Sequence, residues 1–206
     1  MVNLENKYIF IHPRRTGGSA IERSLNNNID HIELAGTKEY HWYLSTYAEH
    51  YNLDDFYIFC TIRNPYDTLV SIYYNRKFLF EPFRDKSSLK YDIPFSEFVE
   101  SLYTNGWEYT WGINADVRIF PYIGEYMDKV DHLIRFENLQ GDLNVVCNKL
   151  GLSERELVNG NRGFYNHPEL YHHYYRYRYQ HYYDKKTKEI AEKLLKKDLE
   201  VFGYEY

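Results

Sequence analysis

The chain predicts an α/β fold: a central, mainly parallel sheet flanked by helices in three layers. Three observations lead there. Tyr8–Glu22 reads as a short apolar strand, a basic loop and the start of a helix. Phe56–Phe78 repeats that plan, and Val130–Leu150 adds another strand followed by another helix. Strands alternating with helices run parallel and are covered on both faces, so they carry near-continuous apolar runs.

Taken in order, Lys7–His12 is the first such strand and Pro13–Gly18 the loop after it. Gly18 or Ser19 caps a helix running to about Asn27, with Ile21 and Leu25 inward and Glu22 in its first turn. His31–Ala35 reads as a second strand and His41–Tyr51 as a helix. Phe56–Ile62 is the clearest strand. Asn64 then caps a helix with Pro65 in its first position, where the missing N–H does no harm, and Leu69, Val70 and Tyr73 share a face. Leu79–Asp92 reads as an irregular polar insert, Phe95–Tyr103 as a helix, and Gly106–Asn114 as a loop carrying Trp107 and Trp111. A helix is expected around Asp116–Met127, with Pro121 as a potential break. Val130–Phe136 is a strand, and Gly141–Leu150 a helix ended by Gly151. Asp184 caps a last helix to about Phe202, with Ile190, Leu194, Leu195 and Leu199 inward and Glu189–Lys193 and Glu192–Lys196 pairs outward.

At 206 residues the chain is expected to form one domain, residues 1–206, with a substantial core. Its formal net charge of −5 supplies no global basic field, so a general nucleic-acid binder is not expected and any anion site must be local. Cys60 and Cys147 fall in apolar elements, which predicts free buried thiols. No secretory leader and no run of about 18 apolar residues stands in the chain, so a soluble, cytoplasmic protein is expected. Aromatic residues make up 19% of the chain, with 24 Tyr among them. Tyr165–Tyr183 concentrates Tyr, His and Arg, and reads equally as a stacking surface for a base or sugar and as a packed strap. Trp107 and Trp111 carry the same two readings.

The two basic loops bear the chemistry. In the first, Gly17 and Gly18 let the backbone approach a ligand, Thr16 and Ser19 add hydroxyls, and Arg14 and Arg15 add charge at a helix start. That combination suits a phosphate-like anion; the plainer reading is a turn with two solvated arginines. The pattern G-x-x-x-x-G-K-[ST] is missing, which disfavours a nucleotide kinase-like phosphotransferase. In the second, Arg63 ends a strand and Ser71 lies two turns into the next helix.

Phe10-Ile-His-Pro-Arg-Arg-Thr-Gly-Gly-Ser19 resembles the strand–loop motif of the sulfotransferases that use 3′-phosphoadenosine-5′-phosphosulfate (PAPS), especially their carbohydrate branch. Thr61-Ile-Arg-Asn-Pro-Tyr-Asp-Thr-Leu-Val-Ser-Ile-Tyr73 is similar to the family's second motif. Leu133–Leu139 and Tyr182–Tyr204 resemble a third element and the closing helix. The resemblance implies a P-loop-like sulfotransferase fold and metal-free transfer of a sulfuryl group from PAPS to an acceptor hydroxyl, on a glycan or small molecule. It implies that Arg14, Arg15, Thr16, Gly17, Gly18, Ser19 and Ala20 surround the 5′-phosphosulfate and that Arg63 and Ser71 take the 3′-phosphate. It also sets Asn161-Arg162 against a pair of an Asn and a basic residue that lies near the nucleotide in relatives. Relatives carry Pro-Lys where this chain has Arg14-Arg15, so Arg15 falls on the catalytic Lys position. A guanidinium keeps the charge but not the point geometry of an ammonium. An expected alternative is therefore a relative that binds PAPS, its bisphosphate product or a sulfated glycan with little turnover. The acceptor hydroxyl needs a general base, and His41 in Glu39-Tyr-His-Trp42 lies in the region where relatives carry one. Glu22, His12 and Glu137 are the other candidates.

Overall fold

The computed structural model describes residues 1–25, 42–79, 93–106, 118–158 and 178–206. Its elements in chain order are β1 (Val2–Asn3), β2 (Tyr8–Ile11), α1 (Gly18–Leu25), α2 (Leu44–Ala48), β3 (Tyr57–Ile62), α3 (Pro65–Leu79) and α4 (Phe95–Asn105). There follow α5 (Phe120–Ile123), β4 (His132–Arg135), α6 (Leu139–Lys149) and α7 (Lys185–Phe202). The α/β class with a mainly parallel sheet is as expected. Contacts divide the chain into two compact units, residues 1–63 with 118–160 and residues 64–117 with 161–206.

The first unit holds the sheet, in the order β1-β2-β3-β4. β1 is antiparallel to β2, while β2, β3 and β4 run parallel, with Ile11 opposite Cys60 and Ile62 opposite Arg135. Every residue of β2 is buried, so the strand presents apolar side chains to both faces. On one face Tyr8, Phe10, Phe59 and Ile134 pack with Ile21 and Leu25 of α1 and Leu143, Val146 and Cys147 of α6. Phe10 and Phe59 stack at 4.9 Å across neighbouring strands. Each such ring taken out of water stabilises the unit by roughly 1.5–3 kcal/mol. Cys60 and Cys147 are buried free thiols. The helix expected around Asp116–Met127 is α5 followed by a tighter turn of 3-10 helix over Gly124–Lys129. Pro121 lies within the first turn of α5 and does not break it; Gly124, at φ +46°, does.

The second unit packs α3, α4 and α7 around Leu69, Val70, Tyr73, Phe98, Leu102 and Leu195. Asn64 and Asp184 are the expected caps. Asn64 Oδ1 accepts from the Tyr66 N–H at 3.0 Å, and Asp184 Oδ1 from the Thr187 N–H at 2.7 Å. The buried stripe of α7 runs through Ala191, Leu195 and Phe202, with Ile190, Leu194 and Leu199 packed beside that core rather than at its centre. An ion pair on its outer face joins Lys196 and Glu200 at 3.8 Å. Among the described residues no helix is long and apolar enough to cross a membrane.

Candidate functional site

Parallel register brings the carboxyl ends of β2, β3 and β4 to one edge, where ligands bind in open α/β sheets. Three segments leave that edge within the first unit: residues 12–17, Arg63, and a 3-10 turn over Phe136–Asn138.

The first segment is held from inside. His12 is buried and stacks on Phe10 at 5.2 Å. Gly18 lies so close that a Cβ there would stand 2.3 Å from His12 Cβ. Thr16 is buried, and its Oγ1 donates to the Pro13 carbonyl at 2.7 Å. That uses its one hydroxyl hydrogen, so in the 2.7 Å pair between Thr16 Oγ1 and Thr61 Oγ1 the donor is Thr61. The hydroxyl of Thr16 thus joins the loop to β3 and has no hydrogen left to donate elsewhere. Arg15 stands at φ +65° and Gly17 at φ +87°. The left-handed conformation costs a non-glycine residue about 1–2 kcal/mol, so Arg15 carries strain. The Gly17 carbonyl accepts from the Ala20 N–H at 2.9 Å, closing the first turn of α1. The N–H groups of Gly18 and Ser19 precede any carbonyl of their own helix, and Ser19 is exposed. Glu22 lies just past the first turn of α1 instead of within it, because the helix begins at Gly18.

Arg63 is 4% exposed. Its Nη1 donates to the Arg15 carbonyl at 3.0 Å, and its Cζ lies 3.9 Å from the centroid of Phe136. The guanidinium therefore ties the end of β3 to the strained residue of the first loop. Together these groups, with the positive end of α1, make a local anion-attracting field in a chain of net negative charge.

Ser71 is fully buried on α3, in the second unit. At the head of that helix the Asn64 amide donates to Tyr179 Oη at 3.2 Å and to the Glu205 carbonyl at 3.0 Å. Arg14 and Ala20 are half-buried. His41 and Arg162 lie outside the described residues, as do Trp107, Trp111, the segment 159–177, the strand expected at His31–Ala35 and nearly all of the insert expected at Leu79–Asp92. Of the other base candidates, His12 is buried, Glu22 half-buried and Glu137 exposed. No cluster of three His, Cys, Asp or Glu side chains that could hold a metal gathers among the described residues.

A family model described as the sulfotransferase family matches residues 1–205 and runs through both units. The chain belongs to the sulfotransferase family. No curated protein and no solved structure matches it significantly. Membership supports sulfuryl transfer to a hydroxyl as the general activity of this sulfotransferase. Two residues at its sheet edge escaped sequence reasoning. Thr61 stands 45 positions from its partner Thr16, and Phe136 meets Arg63 from 73 positions away. The signals were that each lies at the carboxyl end of a strand and within a stretch that resembles a family motif.

Proposed function

We propose that this sulfotransferase moves a sulfuryl group from PAPS to an acceptor hydroxyl, with carbohydrate as the acceptor class. The observation that carries the reading is the bond from Arg63 to the Arg15 carbonyl, which joins two basic strand-end loops at one sheet edge. The residues fit such a donor. Two adjacent glycines, with no room for a side chain against Phe136 and His12, and the opening N–H groups of α1 lie beside buried and half-buried guanidinium groups. When bound, PAPS supplies the activated sulfuryl group. Arg15 stabilises the charge that builds on the departing phosphate oxygen as the sulfur–oxygen bond to it breaks. Arg14, Thr16, Gly17, Gly18, Ser19 and Ala20 hold the 5′-phosphosulfate, and Arg63 binds the 3′-phosphate. The family resemblance adds Ser71 and Arg162 to the nucleotide contacts and makes His41 the base that takes the acceptor's proton as its oxygen bonds to sulfur. The acceptor class rests on the likeness of the first loop to the carbohydrate branch.

A second reading, a binder with little turnover, is favoured by one observation: Arg15, where relatives carry Lys, has a left-handed backbone. Calorimetric titration with adenosine 3′,5′-bisphosphate, with ATP as control, tests both readings. Tight bisphosphate binding is expected, and ATP binding in its place refutes the donor assignment. Arg63→Ala abolishes bisphosphate binding; it also lowers the melting temperature, since a buried side chain bonded to Arg15 is lost. His41→Ala retains binding and loses labelled-sulfate transfer; full activity in that variant removes His41 from the mechanism. Binding without transfer by the native protein across an acceptor panel favours the second reading.

A further inference from the structure

We propose that Phe136 is a positioning residue that couples the two basic loops, seating Arg63 and walling Gly17 so that the 3′-phosphate and 5′-phosphosulfate contacts are held in one geometry. This rests on the PAPS reading above.

The ring touches both loops. The Arg63 guanidinium carbon lies over it at 3.9 Å, and a Cβ built on Gly17 would stand 2.9 Å from its Cδ2. Gly17 therefore passes against the ring edge, at a φ of +87°. Phe136 itself has little freedom, because it is the first residue after β4 and the turn it opens is pinned at both ends. Asp142 Oδ2 accepts from the Arg135 N–H at 2.7 Å, and its Oδ1 from Asn138 Nδ2 at 2.8 Å. The ring is thus a fixed surface between a buried cation and a strained loop.

The choice of an aromatic partner has a chemical consequence. A ring face attracts the cation through its quadrupole and takes none of its N–H groups, all of which stay in the guanidinium plane. One of them donates to the Arg15 carbonyl. Shifting Arg63 by loss of the ring moves that donor, and with it the residue expected at the departing phosphate oxygen. Phe136 thereby acts directly on the 3′-phosphate contact, and on the other end of the donor only through Arg63, without touching the sulfur.

The test compares adenosine 3′,5′-bisphosphate with adenosine 5′-monophosphate, which lacks the group Arg63 would read, by titration of the full chain. Phe136→Leu keeps an apolar wall against Gly17 and removes the ring face. The preference for bisphosphate over monophosphate is expected to fall about tenfold in that variant. Monophosphate affinity should change less than about threefold, and Phe136→Tyr should restore the native preference. In an Arg63→Lys background, Phe136→Leu should produce little further loss, since the two act through one contact. Should Phe136→Leu fold poorly, Phe136→Met supplies the same comparison. An unchanged preference overturns the inference, and so does an equal loss for both nucleotides, which a purely structural role produces. A native protein that shows no preference for the bisphosphate overturns the PAPS reading and this inference together. A native preference that survives in Phe136→Leu overturns this inference alone.

Discussion

Gly17 and Gly18 are neighbours kept for different reasons. Gly17 has a backbone that L side chains rarely adopt, while Gly18 has no such constraint and is held by space, with His12 Cβ at 2.3 Å from where its own Cβ would be. Because His12 is itself locked by stacking on Phe10, it has nowhere to go. Gly18→Ala should therefore destabilise the protein by of order 3 kcal/mol, in the range of overpacked cores. Thermal melting checks this, and a loss under about 0.5 kcal/mol shows that His12 moves freely. Arg14, Arg15, Gly17 and Gly18 were legible as a candidate anion loop from residue type and spacing. The left-handed backbone of Arg15 was not, because nothing in its neighbours demands it; the bond from Arg63, 48 residues away, holds its carbonyl.

Helix starts were the most legible elements. Asn64-Pro65 and Asp184 announce α3 and α7, since a cap acts on N–H groups two or three residues away. Asn64 does more than its sequence says. Its amide hydrogens bridge to Tyr179 Oη and the Glu205 carbonyl, so one side chain joins the start of α3 to the segment before α7 and to the residues after it. Asn64→Ala should cost about 2 kcal/mol, more than a cap alone. Asn64→Asp, which keeps the acceptor for the Tyr66 N–H and loses the amide donors, should fall between. Equal stability of Asn64→Asp and native protein in denaturant titrations would remove the bridging role. The boundaries of α5 were less legible. Pro121 drew attention as a breaker, but in the first helical turn it is harmless, and the positive φ of Gly124 ends the element.

On the scale of the whole molecule, each unit buries its own core: an aromatic sheet face in the first, a set of tyrosines between helices in the second. In the second unit Tyr66 is stacked with Tyr179 and meets Tyr183 and Tyr206 edge-on, and Tyr183 Oη donates to the Tyr66 carbonyl at 2.8 Å. Burial, with help from Glu192, pushes the Tyr66 phenol up to about 12, and burial holds Tyr183 well above its ordinary range. A phenol whose folded value is raised favours the fold fully below its ordinary value of 10.0 and loses that contribution as pH rises toward the folded value. Stability should thus fall between about pH 10 and 12. Tyr183→Phe should be less stable at neutral pH by about 1 kcal/mol and show a flatter alkaline decline. Melting curves from pH 8 to 12 test this, and an unchanged alkaline slope in that variant removes Tyr183 from the effect.

By itself the sequence determined the α/β class, the strands β2 and β3, the capped starts of α3 and α7, and the two basic loops. Each of these is set by residues within a turn or two of one another, or by a run of apolar side chains that the chain alone displays. The tertiary structure decided that Thr16 spends its hydroxyl inside the loop, that Arg63 holds the Arg15 carbonyl, and that Phe136 lies against both Arg63 and Gly17. Those contacts join residues 45 or more positions apart, apart from the bond from Thr16 to Pro13. They exist because parallel register sets the ends of three strands side by side, a proximity that no local pattern encodes.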